Sequence, residues 1–120
     1  MKFGEFIKNR RLKMKMGLRV FASKIGEDPG NWCRIEKGHF AAPNDIKLLN
    51  KIAKVLNLSD SEKEMLFDIA AKESHEKVPA DIKHQLEKNE IIPLLFRAID
   101  KKKLSKEQLK KLIERIKDEY

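Results

Sequence analysis

Apolar side chains recur along the chain at intervals of three and four residues and nowhere alternate with polar ones. This pattern predicts helices throughout and no strand. Phe3, Phe6, Ile7 and Met14 share one helical stripe with Lys8, Arg10, Arg11 and Lys13 between them, a first helix that ends near Met14. Gly17 breaks the stripe. Leu18, Phe21, Ala22 and Ile25 restart it at i, i+3, i+4 and i+7 for two turns, and Gly26 stops it. Asp28 then offers a side-chain acceptor for free helix N–H groups, and Pro29 suits the first helical position because its missing N–H would have no partner there. The third helix therefore runs from Pro29 to about Lys37, with Gly38 as its stop. Trp32 and Ile35 form its inward stripe, which leaves Gly30, Asn31, Cys33, Arg34 and Lys37 on other faces.

Pro43-Asn44-Asp45 opens a fourth helix whose apolar positions Ile46, Leu49, Ile52, Ala53 and Leu56 keep the period until Asn57. Ser61 and Glu64 have the spacing of a capping box ahead of Met65, Leu66, Ile69 and Ala70, the fifth helix. The mixed-charge stretch Lys72 to Ala80, with Ser74, His75 and Pro79, is the expected boundary. Beyond it Ile82 and Leu86 suggest a short helix, Asn89 stands where it would cap Glu90 to Ile99, and Ser105 with Gln108 caps a last helix. The fold expected is all-α: a five-helix module over residues 1–73 and a helical extension of two or three helices over residues 74–120.

Composition narrows the class. With 120 residues and 41% hydrophobic content the chain can build one modest core, and its few prolines and glycines argue against a linker-rich chain. The longest apolar runs, such as Ile91-Ile92-Pro93-Leu94-Leu95-Phe96, fall far short of the roughly 20 residues that cross a bilayer. The start of the chain has no apolar signal segment, so a soluble, cytoplasmic protein is expected. A single cysteine excludes a disulfide framework, and His39, His75 and His84 do not stand at metal-ligand spacing, so neither a metal nor a cofactor is expected.

Charge changes the picture more. Residues 1–58 carry 13 Lys and Arg against 5 Asp and Glu, whereas residues 59–120 carry 14 of each. The whole formal excess of +8 thus belongs to the first half, which points to a polyanion-binding surface there. Two short helices joined through Gly26-Glu27-Asp28 have the shape of a helix-turn-helix, whose second helix can enter the DNA major groove.

The residues that carry this unit are Gly17 to Gly26, then Pro29-Gly30-Asn31-Trp32-Cys33-Arg34-Ile35-Glu36-Lys37-Gly38, then Pro43-Asn44 with Leu49, Ile52, Ala53 and Leu56. As a set they closely resemble the xenobiotic-response-element family of helix-turn-helix regulators, with its lambda-repressor-like fold, over roughly residues 3–70. The resemblance implies a sequence-specific double-stranded DNA-binding transcriptional regulator, a dimeric repressor reading an inverted-repeat operator with helix 29–37. Arg34 would read guanine through its paired donors and Asn31 would read adenine or hold a phosphate. Lys37, His39, Arg19 and Arg10 would meet phosphates, as would the backbone at Gly17 and Leu18. Arg11 and Glu36 resemble the family's ion pair between the first and third helices, and Trp32 occupies a core slot. Three positions depart from the pattern. Gly17 and Leu18 stand where the family carries Ser or Thr and often Gln, so their side-chain bonds to cap and phosphate are missing, and Gly30 offers no side chain at a position that commonly reads bases.

No catalytic arrangement emerges, because Gly-rich phosphate loops are absent and the carboxylates are dispersed among lysines; the chain is not expected to be an enzyme. The second half poses a different question. Ile91, Ile92, Leu94, Leu95, Phe96 and Ile99, with Leu109, Leu112, Ile113, Ile116 and Tyr120, are more apolar than a surface decoration requires. A homodimer interface is the favoured use. The alternative, suggested by the same resemblance, is an antitoxin or paired inhibitor whose C-terminal helices bind a toxin or metallopeptidase while the N-terminal module autoregulates the operon.

Overall fold

A computed structural model describes residues 1–74 and 78–120, and among them the chain is all-helical. Eight helices follow in order: α1 (Phe3–Lys13), α2 (Leu18–Ile25), α3 (Pro29–Glu36), α4 (Ile46–Val55), α5 (Asp60–Glu73), α6 (Ala80–Lys88), α7 (Ile91–Lys102) and α8 (Lys106–Glu119). Contacts divide them into two compact units, Met1–His84 and Gln85–Tyr120. The boundary expected between Lys72 and Ala80 falls partly on residues 75–77, His75 among them, which lie outside the described residues.

In the first unit the inward residues of α1 to α5 meet around Trp32, which is 0% exposed. Phe3 stands edge-on to its indole at 6.2 Å and Phe21 lies tilted against it at 5.5 Å, two favoured aromatic geometries. Ile7, Ile25, Leu49, Ile52, Leu56, Leu66 and Phe67 close the core around them. The helix ends follow from local chemistry. Gly26 adopts φ +74 at the end of α2, and its N–H and that of Glu27 return to the carbonyls of Ser23 and Ala22. Asp28 accepts from the Asn31 N–H at 3.0 Å, and Asp45 caps α4 at the Leu48 N–H.

Two long-range devices place α1. Gly4 faces the last turn of α3, where an added Cβ would stand 2.7 Å from the Glu36 carbonyl carbon and 2.8 Å from its Cα. Only glycine allows the two backbones to meet so closely. At the start of α1 the Phe3 N–H donates to Glu73 Oε2 at 3.0 Å, so a carboxylate at the end of α5 serves as the cap that Lys2 lacks.

The start of α5 requires a correction. The capping box is built from Ser59 and Glu62, two residues before the predicted Ser61 and Glu64. Asn57 turns the chain at φ 51 and Leu58 packs onto the core, so the earlier of two overlapping Ser-x-x-Glu frames reaches helical geometry first. The fourth helix likewise closes at Val55, with Leu56 as its C-cap, rather than reaching Asn57.

In the second unit Ser105 and Gln108 form the predicted box at the start of α8. Asn89 acts differently from the expectation. Its Oδ1 accepts from the Ile91 N–H at 3.0 Å, while the flanking position before α7 is taken by Glu90 in helical geometry. No residue of α7 or α8 is buried.

Candidate nucleic-acid interface

The local build of α3 decides what it can present. Among its eight residues the side chains of Trp32 and Glu36 are buried, Ile35 is half-buried, and Asn31 and Arg34 are exposed, as is Lys37 at the C-cap. Cys33 is half-buried, and Gly30 presents no side chain between Pro29 and Asn31 in the first turn. The polar face predicted from spacing is therefore the solvent face.

Behind that face lies a buried ion pair. Arg11 Nε donates to Glu36 Oε2 at 3.0 Å and Nη2 to Oε1 at 2.9 Å, the two-pronged geometry that a planar guanidinium makes with a carboxylate. The side chains are only 8% and 4% exposed. Trp32 Nε1 also donates to Glu36 Oε2, at 2.8 Å, and Arg11 Nη1 donates to the Met16 carbonyl at 3.2 Å. One carboxylate thus joins α1, the indole at the centre of the core and the last turn of α3. Rotation of α3 about its axis would break the two Arg11 bonds that reach it from α1, while the Trp32 bond lies within α3 and holds the carboxylate in place, so the azimuth of Asn31 and Arg34 is fixed from inside.

On the outer face Arg34 Nη1 donates to Asn31 Oδ1 at 3.2 Å. Its guanidinium carbon lies 5.6 Å from the centre of the Phe40 ring, close enough for a cation–π contact. Lys37 and His39 continue as exposed cations or dipoles past the end of α3, and Gly38 at φ +82 turns the loop. Arg19 is exposed in the first turn of α2, which begins at Gly17 with no side-chain cap, while Leu18 is half-buried against the core. The start of α2 offers backbone N–H groups and their partial positive charge, but no hydroxyl.

Arg10 belongs elsewhere. It was expected at a phosphate, yet its Nη1 donates to Glu62 Oε2 at 2.9 Å, Nε to the Leu56 carbonyl and Nη2 to the Asn57 carbonyl, both at 3.3 Å. It braces α1 against the α4–α5 turn. The Glu62 carboxyl is held below its ordinary range, first by the bonds from Ser59, backbone then hydroxyl, and then by the charges of Arg10 and Lys13.

Three contributors were missed from the sequence: Glu62 and Glu73, whose partners lie 52 and 70 residues away, and Phe40. Only Phe40 left a signal, as a lone aromatic between Gly38 and Pro43. Among the described residues no group of His, Cys, Asp and Glu could hold a metal ion, and no helix is long and apolar enough to cross a membrane. A depression of about 470 Å³ beside α3, lined by Lys2, Glu5, Lys37, His39 and Glu73, is open and of mixed sign. Compared with protein-family models, with curated proteins and with solved structures, the chain matches none.

Proposed function

We propose that the first unit is a lambda-repressor-like helix-turn-helix module that binds double-stranded DNA, with α3 in the major groove, and that the protein acts as a dimeric transcriptional repressor. The observation that carries this reading is the solvent face of α3. A short helix whose azimuth is locked by a buried ion pair presents Asn31 and Arg34 outward, in the half of the chain that holds the entire positive excess. Arg34 and Asn31 read base edges; Arg19, Lys37, His39 and the N–H groups around Gly17 and Leu18 hold phosphates and fix the register.

A second copy completes the reading. The unit Gln85–Tyr120 buries no side chain of α7 or α8, and Ile91, Leu94, Leu95, Phe96, Ile113 and Ile116 remain exposed. Segments below about 40 residues usually need oligomerisation to bury a core. Six half-exposed side chains at roughly 100 Å² each give on the order of 1,200 Å² over two copies, the lower edge of a stable interface. Two modules related by a two-fold axis would then read half-sites about one helical turn, roughly 10–10.5 bp, or a multiple apart. A toxin or peptidase is the competing occupant of the same faces. A chain that stays monomeric alone and on DNA would favour that antitoxin-like role over the dimeric repressor.

The test begins with selection of a bound site from a random duplex pool by the full chain, followed by titration of the selected and scrambled duplexes. Arg34→Ala should weaken the selected duplex and leave the scrambled one nearly unchanged, whereas Lys37→Ala should weaken both alike and lower the salt slope by roughly one. Enrichment of no duplex would overturn the proposal.

A further inference from the structure

Among the aromatic side chains of the first unit, Phe3, Phe21, Trp32 and Phe67 are buried and Phe6 is half-buried, but Phe40 is 47% exposed. Its place is fixed by the backbone rather than by the core. After Gly38 reverses the chain, the N–H groups of His39 and Phe40 both donate to the Arg34 carbonyl, at 2.8 and 3.3 Å. The residue whose main chain anchors the loop is the residue whose guanidinium covers the ring, at 5.6 Å. The same guanidinium is held by Asn31 Oδ1 through Nη1 at 3.2 Å.

A surface arginine otherwise samples many rotamers, and fixing one costs binding affinity. Here the guanidinium carbon stands 5.6 Å over the centre of an aromatic ring and one N–H is tied to a neighbour one turn back. The Asn31 bond takes one of five N–H donors, which leaves a two-donor edge to meet a ligand in a fixed plane. The ring carries no charge and no hydrogen-bonding group, so its effect on guanine recognition passes through Arg34.

We infer that Phe40 is a specificity-determining positioning residue, which with Asn31 sets the plane of the Arg34 guanidinium for two-pronged recognition of a guanine edge. The inference rests on the DNA-binding reading above, with guanine as the base Arg34 meets, and goes beyond it by naming the residue outside α3 that sets the plane of that contact. Asn31 accordingly serves Arg34 through its carbonyl, and only its amide N–H groups remain for a base or phosphate.

The experiment uses the full-length protein and the duplex it selects from a random pool, with each guanine replaced in turn by 7-deazaguanine, which lacks the N7 acceptor. The wild type should lose about tenfold in affinity at one guanine per half-site, and Arg34→Ala should not feel that replacement. Phe40→Ala and Phe40→Leu should lower the penalty to about threefold, with affinity for scrambled duplex within about twofold of wild type, and Phe40→Trp should restore it. The leucine variant keeps the bulk without the π face, Trp32 fluorescence reports that the alanine and leucine variants are folded, and far-UV circular dichroism does so for the tryptophan variant. An unchanged 7-deazaguanine penalty in both the alanine and leucine variants would overturn the inference, as would equal losses on every duplex. A wild type that selects a site yet ignores every 7-deazaguanine overturns the guanine assignment and leaves DNA binding standing; a wild type that selects no duplex overturns both.

Discussion

Replacement of Glu36 by alanine probes the bond network that orients α3. The change strands three donors at once: Arg11 Nε and Nη2, and Trp32 Nε1, all previously within 3.0 Å of the carboxylate. It also leaves the Arg11 charge where only 7% of the residue meets solvent. Removing one partner of a buried pair costs about 3–5 kcal/mol, chiefly for the uncompensated charge. The orphaned indole N–H belongs to the same loss and is not added in full, because groups sharing one acceptor are not independent. Against a total stability of about 5–15 kcal/mol for a domain, this is a large fraction. With a urea slope of about 1–3 kcal/mol per M, the midpoint should fall by about 2 M. Trp32, the single tryptophan, sits at the network and serves as the fluorescent probe, with protein concentration held constant across variants. The double variant Arg11→Met, Glu36→Gln removes both charges and keeps an amide oxygen for the indole, so it should be more stable than Glu36→Ala by at least about 1 kcal/mol. A loss below about 1 kcal/mol in Glu36→Ala, or a double variant as unstable as the two single changes combined, would refute the account of a desolvated pair.

Three further outcomes are expected. Gly17 has ordinary φ −70 and open space around an added Cβ, so Gly17→Ser should supply the missing cap of α2 and stabilise the fold by a few tenths to about 1 kcal/mol, read as a rise in melting temperature; no rise would refute the capping argument. Glu62 titrates below its ordinary 4.5 when folded because its bonds and neighbours favour the ionised form, so the stability it contributes is complete above that value and is lost as pH falls through the folded-state pKa. Glu62→Gln should flatten the acid arm of the stability profile, and an unchanged arm would remove Glu62 from it. Truncation after Lys88 should leave a folded, monomeric module with reduced operator affinity, whereas truncation after Glu73 should be less stable, since it discards buried Ser74 and Ala80 and the Val78 carbonyl that accepts from Asn44 Nδ2 at 2.7 Å. Equal stability of the two fragments, measured by urea unfolding, would show that these contacts contribute nothing.

What the sequence made legible was local. The stripes of α1 to α4 and the stops at Gly26 and Gly38 follow from spacing and from backbone freedom, and both belong to neighbouring residues. The outward face of α3 was readable for the same reason: Trp32 and Ile35 fix the inward direction, and three to four residues per turn do the rest. The frame of the fifth helix was not, because Ser59 and Ser61 each stand three residues before a glutamate, and the choice depended on where Leu58 found the core. Nor was the role of Arg10, because an arginine on the polar side of a helix looks alike whether it meets solvent or a carboxylate 52 residues onward. Phe40 stood out as a lone aromatic, but its pairing with Arg34 was illegible in a third way, since that partner is near in sequence yet reached only through a loop reversal that no period encodes.

The bond from Phe3 to Glu73 ties chain order to assembly. During synthesis α1 emerges before α5, so the carboxylate that caps it arrives about seventy residues later, at the end of α5. Ahead of that helix, residues 1–58 hold 13 Lys and Arg against 5 Asp and Glu, and Glu62, which answers Arg10, and Glu73 both belong to the last helix of the set. Helices α2, α3 and α4 pack on near neighbours in sequence and can order early, whereas closure of α1 against α5 must wait for the longest loop in the unit. Residues 1–58 thus carry their excess of positive charge before the fold can close, and the acidic fifth helix, arriving last, supplies both the carboxylate that answers Arg10 and the one that caps α1.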